Sequence, residues 1–166
     1  RDAIPVSYET GIDRLEELVT NSDVASGLPP KADEEERSVF GEYSEHVLAE
    51  MTISEPRLKL AADAANGMGT IYLPILEQLN IDLVPLYFEL DGTFPNHEAN
   101  PLKEENLRDV ERAVAEQRCH LGVAFDGDAD RAILIDETGR FISADKITGL
   151  LAPRFLRNEP GAAIIY

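Results

Sequence analysis

The sequence predicts an α/β protein, a mostly parallel mixed sheet flanked by helices and preceded by an N-terminal helical arm. Three observations carry that expectation. Short apolar runs alternate with amphipathic stretches of roughly 12–16 residues, as in strand–helix–strand units. Gly-, Asn- and Asp-rich turns punctuate the runs. Parallel strands joined this way need right-handed crossovers, so loops that carry chemistry gather at the carboxyl ends of the strands.

The elements follow in order. Asn21 to Pro30 is rich in turn formers and ends in Pro-Pro, a linker. Lys31 to Met51 reads as a helix, with Val39, Phe40, Tyr43, Val47, Leu48 and Met51 three or four apart. Its acidic start, Asp33 to Glu36, suits a helix N-terminus. Pro56 closes this arm. Leu58 to Ala62 then reads as a buried strand and Asp63 to Gly69 as a turn, with a helix following to about Leu79. Ile81 to Tyr87 is a second strand, Asp91 to Pro101 a long loop, and Leu102 to Arg118 a helix with Leu107, Val110 and Val114 on one face. Leu121 to Phe125 and Ala132 to Ile135 are two further strands. Asp136 to Gly139 turns the chain into a short strand at Arg140 to Ile142, Ala144 to Leu156 is helical, and Ala162 to Tyr166 opens another strand.

Composition narrows the function. The chain has 166 residues, 15 Lys+Arg against 32 Asp+Glu, and a net charge of −17. That length fits one domain with an appendage, or two small domains. With 43% hydrophobic residues it supports a core. A surface this acidic repels phosphate backbones, which excludes nucleic acid as a partner. No apolar run approaches the ~20 residues that cross a bilayer. A lone Cys119 excludes an intrachain disulfide and, with no signal peptide in view, predicts a cytoplasmic protein. Only four of the basic residues are Lys; such a surface suits a saline habitat or reflects a GC-rich genome, and composition does not separate the two.

The most informative segment is Asp126-Gly127-Asp128-Ala129-Asp130-Arg131, directly after an expected strand. Three carboxylates at alternate positions repel one another unless they share a cation, and hard cations such as Mg²⁺ and Ca²⁺ take oxygen ligands. Gly127 and the small Ala129 are expected to let the backbone curl around that centre. Arg131 cannot ligate a metal, but its guanidinium is a forked donor for phosphate. An exposed acidic turn explains neither the alternation nor the glycine. A calcium-binding EF-hand fits Asp126, Asp128 and Asp130 at loop positions one, three and five. It fails at position six, where Arg131 replaces the required Gly, and in its flanks, which read as strands. A metal loop between two strands, paired with phosphate chemistry, is the reading that remains. Another Mg²⁺-dependent phosphotransferase and a calcium-binding module stand as its alternatives.

Three motifs together resemble the α-D-phosphohexomutases, the family of phosphomannomutase and phosphoglucomutase. Asp126 to Arg131 resembles the family's metal loop, Asp63-Ala64-Ala65-Asn66-Gly67-Met68-Gly69 the opening strand-turn of its second domain, and Asp91 to Leu102 its Phe-Pro-x-His-x-x-x-Pro loop. They occur in family order, and the last favours the phosphomannomutase/phosphoglucomutase branch over phosphoglucosamine mutases. The resemblance implies that residues 1–56 are the tail of a first domain and a linker helix, 57–160 the second domain, and 161–166 the start of a third. It also implies that a phosphoserine exchanges phosphoryl groups with a hexose phosphate through a bisphosphorylated sugar. Asp126, Asp128 and Asp130 would then hold Mg²⁺, and Arg131 would contact the transferring phosphoryl group. The family's serine loop, Thr-(Ala/Ser)-Ser-His-Asn-Pro, does not occur in these residues, so no catalytic nucleophile is expected here. The remaining domains of the same polypeptide are the expected partners, and the chain alone is expected to be inactive.

Other features read as structural. Gly41 to His46 is similar to the family's sugar-binding Gly-Glu-x-Ser-Gly-His loop, yet it lies in a helical pattern before the metal loop and has Glu45 in place of Gly. Asn66 to Gly69 is either an anion cradle of backbone N–H groups or a tight turn against a helix; the turn is the expected role. His97, in a loop without a nucleophile, is expected to be structural or interdomain. Cys119 is expected to be inert.

Overall fold

The computed structural model describes residues 7–21, 35–51 and 57–165. The chain forms two compact units, Arg1–Ser38 and Val39–Tyr166. In the first, a 3-10 turn at Tyr8–Thr10 leads through Gly11, which takes a positive φ of 144°, into α1 (Ile12–Asn21). The linker expected after Asn21 and the acidic run Asp33-Glu34 lie outside the described residues.

The second unit opens with α2 (Phe40–Glu50), which begins later than the helix expected from Lys31 because residues 35–39 have no regular structure. It is built on a five-stranded sheet: β1 (Leu58–Asp63), β2 (Ile81–Leu86), β3 (Leu121–Phe125), β4 (Ala132–Ile135) and β5 (Phe141–Ile142). The spatial order is β2-β1-β3-β4-β5. β1 pairs in parallel with β2 and β3, and β4 is antiparallel to both β3 and β5. Four strands therefore run one way and β4 alone is reversed, the mostly parallel mixed sheet that the sequence predicts.

The core follows the expected helix face. α4 (Arg108–Gln117) places Val110 and Val114, both fully buried, with Leu107 against Ala61, Ala124 and Ile135. Gly122 makes this approach possible. A Cβ there would lie 2.7 Å from a Val114 methyl and 3.1 Å from the Ile135 Cβ. α4 ends at Arg118, which is left-handed at φ 54° and returns its N–H to the Val114 carbonyl.

Several helices are shorter than the periodicity predicts. The segment after Gly69 is a 3-10 turn (Met68–Tyr72) followed by a single turn, α3 (Leu73–Leu76). Pro74 lies at the start of that turn, and short connections of this kind close by 3-10 bonds. The segment before α4 is likewise 3-10, at Glu104–Leu107. α5 spans Ala144–Asn158, slightly beyond the expected Leu156, and carries Pro153 inside it. Residues 162–165 form no strand, unlike the expectation for Ala162 to Tyr166. No described helix is long and apolar enough to cross a membrane.

Candidate metal centre

The parallel strands β1, β2 and β3 end on one side of the sheet, and their three following loops meet there. β1 leads into the Asp63–Gly67 turn, β2 into the long loop through Pro101, and β3 into the aspartate loop. Backbone hydrogen bonds stitch them together. The Asn66 N–H donates to the Tyr87 carbonyl (2.9 Å), and the Asp91 N–H donates to the Asn66 carbonyl (3.0 Å). The Asn66 side chain donates to the Glu89 carbonyl and accepts from Asn96 at 2.7 Å.

The aspartate loop is the six-residue connection of the β3–β4 hairpin, in which Phe125 faces Ala132. Its neck is tied by Asp126, whose N–H donates to the Arg131 carbonyl (3.3 Å) and whose Oδ1 accepts the Arg131 N–H (3.1 Å). The residue that takes left-handed backbone is Ala129, at φ 59°, and not Gly127. Gly127 contributes a backbone held on both sides. Its N–H donates to the Ala99 carbonyl (3.1 Å), and its carbonyl accepts the Met68 N–H (2.9 Å). Of the two residues expected to let the backbone curl, only Ala129 takes a left-handed conformation. One bends the loop, and the other anchors it.

All three predicted acids meet. One carboxylate oxygen from each of Asp126, Asp128 and Asp130 lies within 4.8 Å of the other two. Asp126 is buried, whereas Asp128 and Asp130 are exposed. An octahedron with ~2.1 Å bonds puts opposite oxygens about 4.2 Å apart, and bonds of ~2.4 Å put them about 4.8 Å apart. This donor set, all oxygen and anionic, fits a hard divalent cation of either size. Burial disfavours the charged form of Asp126, but the Arg131 N–H and guanidinium outweigh it and hold this carboxyl below the usual carboxylate range. Asp130 is pushed up by Asp126 and by the charge of Asp128. Such crowding of acids is what a bound cation relieves.

Arg131 lies against two of the three acids. Its Nε donates to Asp126 Oδ2 (2.6 Å) and to Asp130 Oδ1 (3.3 Å). Its terminal Nη pair makes no hydrogen bond to a described residue, and the side chain is half exposed. The guanidinium thus keeps a fork for an incoming anion.

Around this loop the other sequence expectations resolve. The N–H groups of Asn66, Gly67, Met68 and Thr70 all donate to backbone carbonyls, as expected of a structural turn. Gly67 has an ordinary φ of −94°, and a Cβ on it would lie 2.7 Å from the Gly127 carbonyl oxygen. Gly41 to His46 falls within α2, with the Tyr43 ring 6.4 Å from that of Tyr72. Cys119 is buried, and burial pushes its thiol up, away from reactivity. Strands flank the aspartate loop, which removes the geometry an EF-hand needs.

One arrangement was not readable from the sequence. Asp63, fully buried at the end of β1, accepts the Ala65 N–H at Oδ1 (2.8 Å) and meets His97 Nε2 at Oδ2 (3.1 Å). Burial raises the Asp63 carboxyl, with the Ala65 N–H and His97 opposing. Tyr87 lies edge-on to the His97 ring and donates to Asp109 Oδ2 (2.6 Å). An acid ending an apolar strand was the one available signal, and nothing in the spacing ties it to a histidine 34 residues later.

Fold and loop together define an α/β domain that presents an acidic hairpin at the carboxyl ends of its parallel strands. Residues 41–139 match the model of the phosphoglucomutase/phosphomannomutase alpha/beta/alpha domain II. A phosphomannomutase/phosphoglucomutase of Pseudomonas aeruginosa is 35% identical over 156 residues, covering 93% of this chain and 33% of its own length. A Xanthomonas campestris protein named as phosphohexose mutases is 36% identical over 166 residues, covering 99% of this chain and 37% of its own. A crystal structure of a phosphoglucomutase/phosphomannomutase family protein from Burkholderia thailandensis superposes with a TM-score of 0.77 at 32% identity, over 90% of this chain and 33% of that one. The chain belongs to the phosphoglucomutase/phosphomannomutase family. It spans about a third of the length of the curated relatives it matches.

Proposed function

We propose that this chain works as the second domain of a phosphohexomutase, in which residues 57–160 present a Mg²⁺ site to a hexose phosphate, with mannose and glucose as the sugars. The convergence of Asp126, Asp128 and Asp130 on one hairpin carries this reading. Family membership supports a reaction of the phosphomannomutase/phosphoglucomutase class, here the exchange of phosphoryl groups between the 1- and 6-positions of a hexose. Mg²⁺ bound there supplies Lewis-acid polarisation of a phosphoryl oxygen.

The residues of this chain have separate tasks. Asp126 would be the fixed ligand, held by the Arg131 N–H, and the exposed Asp128 and Asp130 would complete the donor set from the loop's tip. Arg131 offers its Nη fork to the transferring phosphoryl group, and Asp126 aims that fork through Nε. In such transfers positioning and charge neutralisation dominate. The phosphoserine that carries the phosphoryl group and the groups that recognise the sugar belong to the other domains of the same polypeptide. The lone Cys119 suits a cytoplasmic enzyme.

The intact polypeptide containing this chain is expected to convert mannose 1-phosphate into mannose 6-phosphate, and Asp128→Asn to lower kcat by roughly 100-fold or more. The 166-residue chain alone is expected to turn over neither sugar phosphate. Wild-type kcat in the Asp128→Asn enzyme, or turnover by the chain alone, contradicts the reading.

A further inference from the structure

We infer that His97 is a positioning residue for the aspartate loop: its bond to buried Asp63 fixes the 97–99 segment, whose Ala99 carbonyl holds Gly127 between the acids at 126 and 128. The inference rests on the cation reading of that loop.

The connection is continuous. His97 Nδ1 lies 2.9 Å from the Glu98 carbonyl and Nε2 lies 3.1 Å from Asp63 Oδ2. The carbonyl can only accept, so Nδ1 carries a proton. The contact on the other side then holds a second proton, on Nε2 or on the carboxyl. Asp63 is itself fixed, since its other oxygen accepts the Ala65 N–H and its side chain is fully buried. The Nε2 contact pins this mostly buried ring, and with it the backbone at 97, to the buried Asp63, and Ala99 lies two residues further on. The Ala99 carbonyl then takes the Gly127 N–H. Three acids can share a small cation only when their backbone spacing is set in advance, and outer-shell groups commonly set it.

The two side-chain amides separate this role from simple packing. Gln reaches as far as Nε2 and keeps a donor for Asp63; Asn reaches only as far as Nδ1 and loses it. Mn²⁺ is the probe, with affinity read by electron paramagnetic resonance on the 166-residue chain at matched folded fraction. His97→Asn is expected to weaken Mn²⁺ binding about tenfold and His97→Gln to stay within about twofold of wild type. Equal affinities in the two variants overturn the inference.

Linkage gives a second test on the wild-type chain, which stands even if the Asn variant does not fold. Saturating Mn²⁺ is expected to slow amide exchange at Ala65 and Asn100 relative to amides of α4. Exchange there that changes no more than in α4 overturns the inference. Failure of the cation reading itself looks different, because Mn²⁺ would then bind Asp128→Asn as it binds wild type.

Discussion

Gly67 and Gly127 are packed so closely that a methyl group on the first would lie 2.7 Å from the carbonyl oxygen of the second. This contact joins the turn after β1 to the aspartate loop after β3, and the Met68 N–H seals it with a 2.9 Å bond to the same oxygen. The glycine is required by proximity and not by backbone angle, since its φ is ordinary.

Gly67→Ala is therefore expected to push the loop outward. Relief has to come from backbone, which makes overpacking costly, about 1–3 kcal/mol. The expected result is a lower melting temperature together with weaker cation binding, measured by calorimetry on the same protein. Unchanged binding would mean that the loop's shape is set elsewhere.

Gly122→Ala tests the core without touching the loop. The added Cβ would meet Val114 and Ile135 where α4 crosses the sheet, at a similar cost of about 1–3 kcal/mol. At this chain length each kcal/mol is worth about 2–4 °C in melting temperature. Gly122→Ala paired with Val114→Ala is expected to recover part of that loss, because the second change removes the closest clashing methyl.

Alkaline stability reports on the Tyr87–Asp109 bond. The hydrogen bond to Asp109, followed by burial, pushes the Tyr87 hydroxyl up to about 12 from its ordinary 10.0. A folded value above the unfolded one gives stability that is fully present below pH 10 and is lost as pH rises through 12. Denaturant unfolding across that window is expected to show a loss that Tyr87→Phe lacks. Identical pH profiles would place the bond outside the stabilising set.

At the acid end, Asp136 organises the β4–β5 turn. Its Oδ1 accepts from the Thr138 hydroxyl (2.6 Å), the Thr138 N–H (2.9 Å) and the Arg140 N–H (3.0 Å). The Thr138 hydroxyl and then the Arg140 N–H hold the carboxyl down at about 2, against an ordinary 3.8. A depressed folded value gives stability present above pH 3.8 and lost as pH falls through 2. Thermal melts over that range are expected to be less pH-dependent in Asp136→Asn than in wild type.

These outcomes reflect what sequence patterns encode. Strands β1, β3 and β4 were readable because buried apolar runs bounded by turns have few other solutions, and the metal loop because alternating acids demand an explanation. Helix lengths were overstated between Gly69 and Leu79 and at Leu102–Leu107, where 3-10 turns share the apolar spacing of an α-helix over one turn. The Asp63–His97 contact and the two-sided grip on Gly127 were hidden for another reason. Both arise where three loops meet, and that meeting is fixed by strand order, which local periodicity does not specify.

The most direct test of the central claim is a calorimetric Mg²⁺ titration of the 166-residue chain, wild type against Asp126→Asn, Asp128→Asn and Asp130→Asn. The account predicts a single Mg²⁺ site with an affinity weaker than micromolar, since Mg²⁺ bound by three carboxylates keeps several waters, and loss of that site in each variant. Binding that persists unchanged in Asp128→Asn, or no binding by the wild-type chain, would contradict it.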